Sequence, residues 1–308
     1  MIDIQGVTVR YGKLTALDDL TLHIGSGEVF GFIGPNGAGK STTMKVLACL
    51  LKADAGDARV DGMHVRDHAD EIRRIVGYMP DFLGVYDDLT VDEYLQFFAA
   101  AFRVPRKKRR ALIGSVLELT DLVEKRNTMV SGLSRGMQQR LGVARVLVHD
   151  PKVLLLDEPA SGLDPRARIE MRGLLVELRN MGKTIMVSSH ILSELHEMCS
   201  SIGIIERGVL EYAGSLEDAF KRAGAGERIG IRVQADHDRA AQLLESDERV
   251  VTVGRDDGEL VVELSPGEHG HHFLIERLVQ GGLQIEAFTP RTAKLEDVFL
   301  RLTKGKVQ

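Results

Sequence analysis

The sequence predicts an α/β protein with two domains, a parallel sheet covered by helices and a smaller α+β domain after it. Three observations support this prediction. The apolar run from Val29 to Ile33 precedes a glycine-rich segment and then a helical pattern. Strand and helix patterns alternate from Val153 onward, which is typical of a parallel sheet. After residue 227, short strand and helix patterns follow one another in the order βαββαβ.

Composition limits the class of protein. At 308 residues and 44% hydrophobic content, the chain is long enough to bury a core in each of two domains. A net charge of −5 provides no global basic field for nucleic acid or anionic lipid. Cys49 and Cys199 are the only cysteines and lie far apart, which argues against a disulfide framework or a zinc site and fits a reducing compartment.

Hydropathy gives no sign of a membrane segment. No apolar run approaches the roughly 20 residues that a membrane-spanning helix needs. The first residues alternate as in a strand and lack the charge and apolar pattern of a secretory signal. We therefore expect a cytoplasmic chain, whose membrane part, if there is one, is a separate protein.

The first domain is predicted over residues 1–214. Several strands are expected between residues 2 and 33, with a corner at Tyr11-Gly12 and a strand from Val29 to Ile33 that is buried on both faces. A helix follows from Ser41 to Leu51. Residues 84–148 form a predicted helical subdomain, because apolar side chains recur there at spacings of three and four.

The rest of this domain alternates strands and helices. Asp164 is placed to cap a helix that begins at Pro165, and Gly182 is placed to end it. The predicted elements are a strand at Val153–Leu156, a helix from Pro165 to about Arg179, a strand at Thr184–Ser188 and a helix at Ile191–Met198.

The second domain is predicted over residues 228–308, after a linker or connecting helix at 215–227. Its βαββαβ order is that of a ferredoxin-like sandwich, with a hairpin turn at Asp257-Gly258. A helix from Leu295 to Leu302 is expected to close it. No chemistry-bearing cluster is apparent in this domain.

A basic run, Arg106 to Arg110, lies inside the helical subdomain. Such a run can bind phosphates or lipid headgroups. In an acidic chain it is more often the solvated start of a helix, and we favour that interpretation.

The glycine-rich segment matches the GxxxxGK[ST] phosphate-loop pattern at every fixed position, between a predicted strand and a predicted helix. Glycines allow the backbone N–H groups to point at phosphate oxygens, and Lys40 is predicted to serve catalysis as a mobile charge for the β and γ phosphates. Ser41 is predicted to ligate magnesium. The predicted nucleotide-binding residues are Gly34, Pro35, Asn36, Gly37, Ala38, Gly39, Lys40, Ser41 and Thr42.

Two adjacent carboxylates, Asp157 and Glu158, end an apolar strand. The carboxyl ends of buried parallel strands meet beside the phosphate loop, so Asp157 can hold magnesium directly or through a water. Glu158 can then take a proton from the attacking water, which is worth roughly 10²–10⁴ in rate for a general base.

A third motif, Leu133 to Arg140, lies between these two. With it the chain resembles the nucleotide-binding subunits of ABC transporters over about residues 2 to 214. The segment is similar to the LSGGQ signature of that family, with Arg135 in place of glycine and Met137 in place of glutamine. Ser134 and Gly136 remain, so a hydroxyl and exposed amides still open a helix that can meet a γ-phosphate. The segment reads Leu133-Ser134-Arg135-Gly136-Met137-Gln138-Gln139-Arg140.

The resemblance implies roles for further residues. Tyr11 lies where the family stacks an aromatic ring on adenine, and His190 matches a histidine near the γ-phosphate. Ser161 to Asp164 resembles a loop that touches the opposite subunit. Asp81 stands where the family commonly has a glutamine that reaches magnesium. A carboxylate can still ligate the metal, but it cannot donate a hydrogen bond.

The implied function is that of an ATP-binding and ATP-hydrolysing subunit, with ATP and Mg²⁺ as cofactors. Two subunits, most simply identical, would close head to tail around ATP and drive an integral membrane permease on a separate chain. The C-terminal extension resembles a tail domain of a bacterial branch that includes drug and antibiotic export subunits, which favours export and implies a regulatory or dimer-stabilising role.

Two alternatives stay open. An ABC-type ATPase acting on nucleic acid or ribosomes could use the basic run, although no second cassette, coiled coil or zinc insertion is visible. A phosphate-loop kinase or GTPase would not explain the segment from Ser134 to Arg140, and no guanine-reading motif is present. We therefore expect no nucleic-acid partner.

Overall fold

The computed structural model describes residues 1–82, 84, 86–189, 195, 198–222, 228–256, 258–265, 270–291, 295 and 298–299. The chain divides into two compact units, Met1–Leu216 and Glu217–Gln308. Each unit has its own sheet system. Within the described residues, no helix is long and apolar enough to cross a bilayer.

Two sheets form the first unit. One is antiparallel, in the order β2-β1-β4-β5, and the other has the order β10-β9-β3-β8-β7-β6. In the second sheet, β9, β3, β8, β7 and β6 are parallel and β10 is antiparallel to β9. The strands are β1 Ile2–Tyr11, β2 Leu14–Ile24, β3 Val29–Ile33, β4 Ala55–Val60, β5 Met63–His64, β6 Val76–Met79, β7 Val153–Asp157, β8 Thr184–Ser189, β9 Ser201–Glu206 and β10 Val209–Ser215.

Helices follow the predicted pattern at most places. Asp164 caps α6 by accepting from the Ala167 N–H at 2.9 Å, with Pro165 in the first turn, as predicted. The basic run opens α4, which confirms its interpretation as a helix start. The helices are α1 Lys40–Leu47, α2 Ala69–Ile75, α3 Val91–Ala101, α4 Arg106–Leu119, α5 Arg135–Leu147, α6 Pro165–Asn180 and α7 Leu216–Arg222.

The helix after the glycine-rich segment is shorter than predicted. It ends at Leu47 rather than Leu51 because Cys49 adopts a left-handed conformation, with φ of 56°. The N–H groups of Leu50 and Leu51 then turn back to the Lys45 carbonyl, at 2.9 and 3.2 Å. A left-handed residue that redirects N–H groups to earlier carbonyls is a common way for a helix to end.

The two strands that lead into the predicted site residues, β3 and β7, lie in the middle of the hydrophobic core. Strands β3 and β7 are buried at every residue, as their continuous apolar runs predict for the middle of a parallel sheet. One apolar cluster joins residues of both sheets to Met44 and Leu47 of α1. The loop that precedes α1 is therefore anchored at both ends in the core.

The second unit has the predicted ferredoxin-like order. Its sheet is antiparallel with the order β12-β13-β11-β14, and its helices pack through Leu244, Leu274 and Leu278 on one apolar cluster. The elements are β11 Arg228–Val233, α8 His237–Glu245, β12 Val250–Asp256, β13 Glu259–Leu264, α9 His272–Gln280 and β14 Ile285–Arg291.

The predicted and the observed elements can be compared only in part. The predicted helices at 191–198 and 295–302 lie mostly outside the described residues. Strands β4, β5, β6, β9 and β10 and helix α2, all of them short, were not predicted from the sequence. The α/β fold with a parallel sheet is confirmed.

Candidate functional site

The loop between β3 and α1 turns its own lysine inward. The Lys40 side chain is buried, and its ammonium donates to the Gly34 carbonyl at 2.6 Å and to the Pro35 carbonyl at 3.2 Å. Thr43 Oγ1 donates to the Gly39 carbonyl at 3.0 Å, which ties the first turn of the helix to the loop. Loop and helix thus form one unit around a buried cation.

Glycine is required where the loop enters the helix. Gly39 has φ of 113°, a conformation that L side chains rarely adopt. A Cβ atom there would also lie 2.7 Å from the Ala16 carbonyl oxygen. Both constraints keep this position bare, so the backbone can approach strand β2 closely and leave the α1 N-terminus open.

The two acidic residues lie at the end of strand β7, and Ser188 of the neighbouring strand β8 forms a hydrogen bond with each of them. Asp157 pairs with Ser188 in the parallel register. The Ser188 hydroxyl donates to Asp157 Oδ1 at 2.7 Å and accepts from the Glu158 N–H at 2.9 Å. All three side chains are buried. Ser188 therefore sets the direction of both acidic residues.

Glu158 lies directly after the strand in a left-handed conformation, with φ of 51°. This bend brings its Oε1 to 3.6 Å from the Lys40 ammonium. A non-glycine residue in this region carries backbone strain, which is typical of functional positions. The sequence predicted the carboxylate but not the bend.

One cleft of about 470 Å³ gathers most of the predicted site residues. Because β6 and β7 are parallel, with Met79 opposite Leu156, the residues after both strands reach the same edge of the sheet. The lining residues are Asn36, Gly37, Ala38, Gly39, Lys40, Ser41, Thr42, Asp81, Asp157 and Glu158.

The acidic edge of this cleft affects a neighbouring tyrosine. Burial, together with the charges of Asp157 and Asp81, raises the pKa of Tyr78 to about 12. Within the described part of the chain, the Tyr78 hydroxyl is buried without a hydrogen-bond partner. Tyr78 and Ser188 were not predicted as site residues, since only strand pairing brings them to the carboxylates.

The segment that resembles a signature does not line this cleft. Ser134 is exposed and caps α5, accepting from the Met137 N–H at 3.3 Å. Gly136 lies in the first turn, and a Cβ atom there would be 3.0 Å from the Ala167 side chain. The chain therefore presents a capped, exposed helix N-terminus at a separate place.

Gly34, Pro35 and Tyr11 are predicted site residues that are not among the residues lining the cleft. Tyr11 is 48% exposed at the end of β1, paired with Leu14, and is not among the lining residues. His190 lies outside the described residues, so its position stays a prediction.

A phosphate loop between a buried strand and a helix, with an inward lysine and acidic strand ends, defines a nucleotide-binding protein of the phosphate-loop class. Comparison with known proteins narrows this class. Residues 17–161 match the family model described as ABC transporter. The chain is 35% identical to the Nod factor export ATP-binding protein I of Ralstonia nicotianae, over 98% of this chain and 94% of that protein. This chain belongs to the ABC transporter family of ATP-binding subunits.

Solved structures agree with this assignment. A structure described as the ATP binding subunit of an ABC transporter has a TM-score of 0.66 and 28% identity, covering 73% of this chain and 93% of that chain. The ATP-binding cassette MJ0796, solved as a dimer in a post-hydrolysis state bound to ADP and Pi, has a TM-score of 0.64 and 27% identity, covering 70% and 99%. The protein is thus the ATP-binding, ATP-hydrolysing subunit of an ABC transporter, a family whose ATPase domains dimerise and work with membrane components.

Proposed function

We propose that two copies of this chain close head to tail around ATP and Mg²⁺, and that hydrolysis drives a separate membrane permease that exports a small molecule or drug. The supporting observation is the cleft in which the phosphate loop, Asp81, Asp157 and Glu158 meet. The γ-phosphate would tie the two subunits together, and hydrolysis would remove that tie and leave two anions that repel each other, so that the dimer reopens.

Magnesium fits this cleft as a partner of the nucleotide. Within the described residues, no group of three or more His, Cys, Asp or Glu side chains could hold a metal ion by itself. Mg²⁺ typically takes one or two carboxylates and completes its shell with phosphate oxygens and water. We propose Ser41, Asp157 and Asp81 as its protein contacts. The bound ion would neutralise charge on the phosphates.

Water activation is assigned to Glu158, with Lys40 on the β and γ phosphates and His190 near the γ-phosphate. Lys40 lies 3.6 Å from Glu158, so the cation and the proton acceptor face the same part of the cleft. Gly34 to Thr42 would cradle the phosphates, and Tyr11 would stack on adenine. We propose that Ser188 keeps Glu158 aimed, since it accepts the backbone N–H of that residue.

A second copy is needed because Ser134 and Gly136 do not line the cleft of their own chain. Their exposed helix N-terminus suits the γ-phosphate held by another subunit. The dimeric state of the similar cassette supports this arrangement. An identical subunit is the simplest partner.

An exposed aromatic surface follows Asp81 in the chain and supports a permease contact. The aromatic side chains of Phe82, Tyr86 and Phe97 are 85%, 51% and 49% exposed, and the last two rings lie 5.4 Å apart. Large exposed aromatic groups mark interaction sites more often than chance. This contact would place the protein on the cytoplasmic face of the membrane, and the export names of its relatives favour outward transport.

We further propose that residues 1–214 form the ATPase domain, with a helical subdomain at about 84–148. Residues 215–227 would connect this domain to an accessory domain formed by residues 228–308. Its sheet supplies packing and ion pairs such as Arg228 with Glu263 at 3.3 Å. We assign the accessory domain no catalytic group.

The test starts with equilibrium dialysis of labelled Mg-ATP against purified protein. Lys40→Ala should lower the affinity for Mg-ATP by at least about tenfold, since it removes the ammonium group that would contact the phosphates. Lys45→Ala is the matched control, because Lys45 is exposed on the same helix. No uptake of Mg-ATP at millimolar levels by folded wild-type protein would refute the proposal. Co-purification with a multi-span protein encoded beside this chain would test the permease.

A further inference from the structure

The arginine that replaces a glycine of the signature reaches a second loop of the same chain. Arg135 is the first residue of α5, and its guanidinium lies against Gly162. Gly162 belongs to the segment Ser161 to Asp164 that leads into α6. Within the described part of the chain, Arg135 makes no ion pair and no hydrogen bond, so packing on this loop accounts for its position.

Gly162 is fitted to this contact. Its φ of 68° is left-handed, and a Cβ atom there would overlap the guanidinium carbon and both terminal nitrogens of Arg135. A planar guanidinium stacks well on flat groups, and a bare glycine leaves the peptide plane accessible. The Arg135 side chain thus packs on Gly162, and glycine is the residue type with the greatest backbone freedom.

The contact lies at one end of a larger interface between α5 and α6. Gly136 approaches Ala167 closely, and further along Arg140 and Glu170 lie 3.7 Å apart. Both helices begin here with side-chain caps. Two segments, Ser134 to Gly136 and Ser161 to Asp164, are therefore neighbours, and Arg135, which is exposed, bridges them.

We propose that Arg135 is a positioning residue for dimer closure, acting by stacking on Gly162 so that both segments meet the partner subunit as one ordered surface. This inference rests on the proposed shared ATP site. Without the guanidinium, the loop around a left-handed glycine samples more conformations, and closure must order it. Nucleotide binding by the chain's own phosphate loop does not depend on this contact.

The experiment measures ATP-dependent dimerisation by sedimentation in a Glu158→Gln background, where turnover does not dissolve the dimer. Arg135→Ala should weaken dimerisation about tenfold, a size typical of coupled neighbours. Arg135→Gln keeps a planar group without charge and should retain most of the dimerisation. Arg135→Lys keeps the charge without the plane and should behave like the alanine variant.

Gly162→Asn tests the other side of the contact, because asparagine tolerates a left-handed φ while its side chain displaces the guanidinium. It should weaken dimerisation as Arg135→Ala does, and the double variant should be no weaker than either single one. Labelled Mg-ATP dialysis should give the same monomer affinity for every variant. Arg110→Ala, at an exposed position of α4, is the control.

Three results would overturn the inference. Unchanged dimerisation in Arg135→Ala would remove the role, additive losses in the double variant would separate the two residues, and rescue by lysine but not glutamine would show that charge acts instead of stacking. If the parent Glu158→Gln protein binds ATP but does not dimerise, the shared ATP site itself is wrong, and the inference fails with it.

Discussion

Replacing Glu158 by glutamine separates catalysis from folding in this protein. The substitution keeps the shape of the side chain and removes its charge and its ability to accept a proton. Glutamine can adopt the same backbone conformation at the same cost, so the bend with φ of 51° adds no new strain. The expected result is a folded protein that binds ATP, dimerises and turns over very slowly.

The structure supplies the magnitudes. At 3.6 Å, the Lys40–Glu158 pair has a gross attraction of roughly 4–5 kcal/mol at an effective dielectric constant of about 20. The loss of this attraction is offset because a neutral glutamine avoids the desolvation cost of the buried carboxylate, which is several kcal/mol. Lys40 also keeps its two carbonyl acceptors. We expect a net stability change within about 2 kcal/mol, which a domain of ordinary stability tolerates.

The substitution should lower the rate of ATP hydrolysis more than it lowers the stability of the fold. A general base contributes about 10²–10⁴ in rate, which corresponds to roughly 2.7–5.4 kcal/mol of activation free energy. Phosphate release from purified Glu158→Gln protein, together with calorimetry, measures both effects. Glu177→Gln, the same change at an exposed position of α6, should alter neither. Wild-type phosphate release by Glu158→Gln would remove Glu158 from its assigned role.

Three further predictions concern the groups around the carboxylates. Ser188→Ala leaves the Glu158 N–H without its acceptor, so it should lower the free energy of unfolding in urea by about 1–3 kcal/mol and slow hydrolysis. Ser115→Ala, at an exposed position, is the control and should change the free energy of unfolding by no more than about 0.5 kcal/mol. Asp81→Ala should weaken magnesium-dependent ATP binding about tenfold or more, and an unaltered magnesium titration would argue against metal contact there. Because the pKa of Tyr78 is raised from 10.0 to about 12, the contribution of this group to the free energy of unfolding is fully present below about pH 10 and is lost as the pH rises towards 12. Tyr78→Phe should flatten that alkaline loss in pH-dependent unfolding, and an unchanged slope would contradict the assignment.

Most of the fold could be predicted from the sequence, and the misses share a cause. Long periodic segments such as α6, with its cap and proline, carry their structure in neighbouring residues. Strand β4 pairs with β1 and strand β9 pairs with β3, both far away in the chain, so their own residues carry a weak signal. Strands β5 and β10 pair in turn with β4 and β9.

The sequence by itself determined the phosphate loop, because the glycines, lysine and hydroxyl that shape it are contiguous and act through local backbone geometry. It also placed acidic residues at a strand end. Their roles, like those of Tyr11 and His190, stay predictions.

Only the tertiary structure decided which distant residues meet at the cleft. The parallel register of β6, β7 and β8 brings Asp81, the two carboxylates and Ser188 to one edge, and the burial of apolar strands sets that register. The contact of Arg135 with Gly162 likewise depends on how α5 packs on α6. Side-chain packing between segments far apart in the chain is decided by the whole core, and no local pattern encodes it.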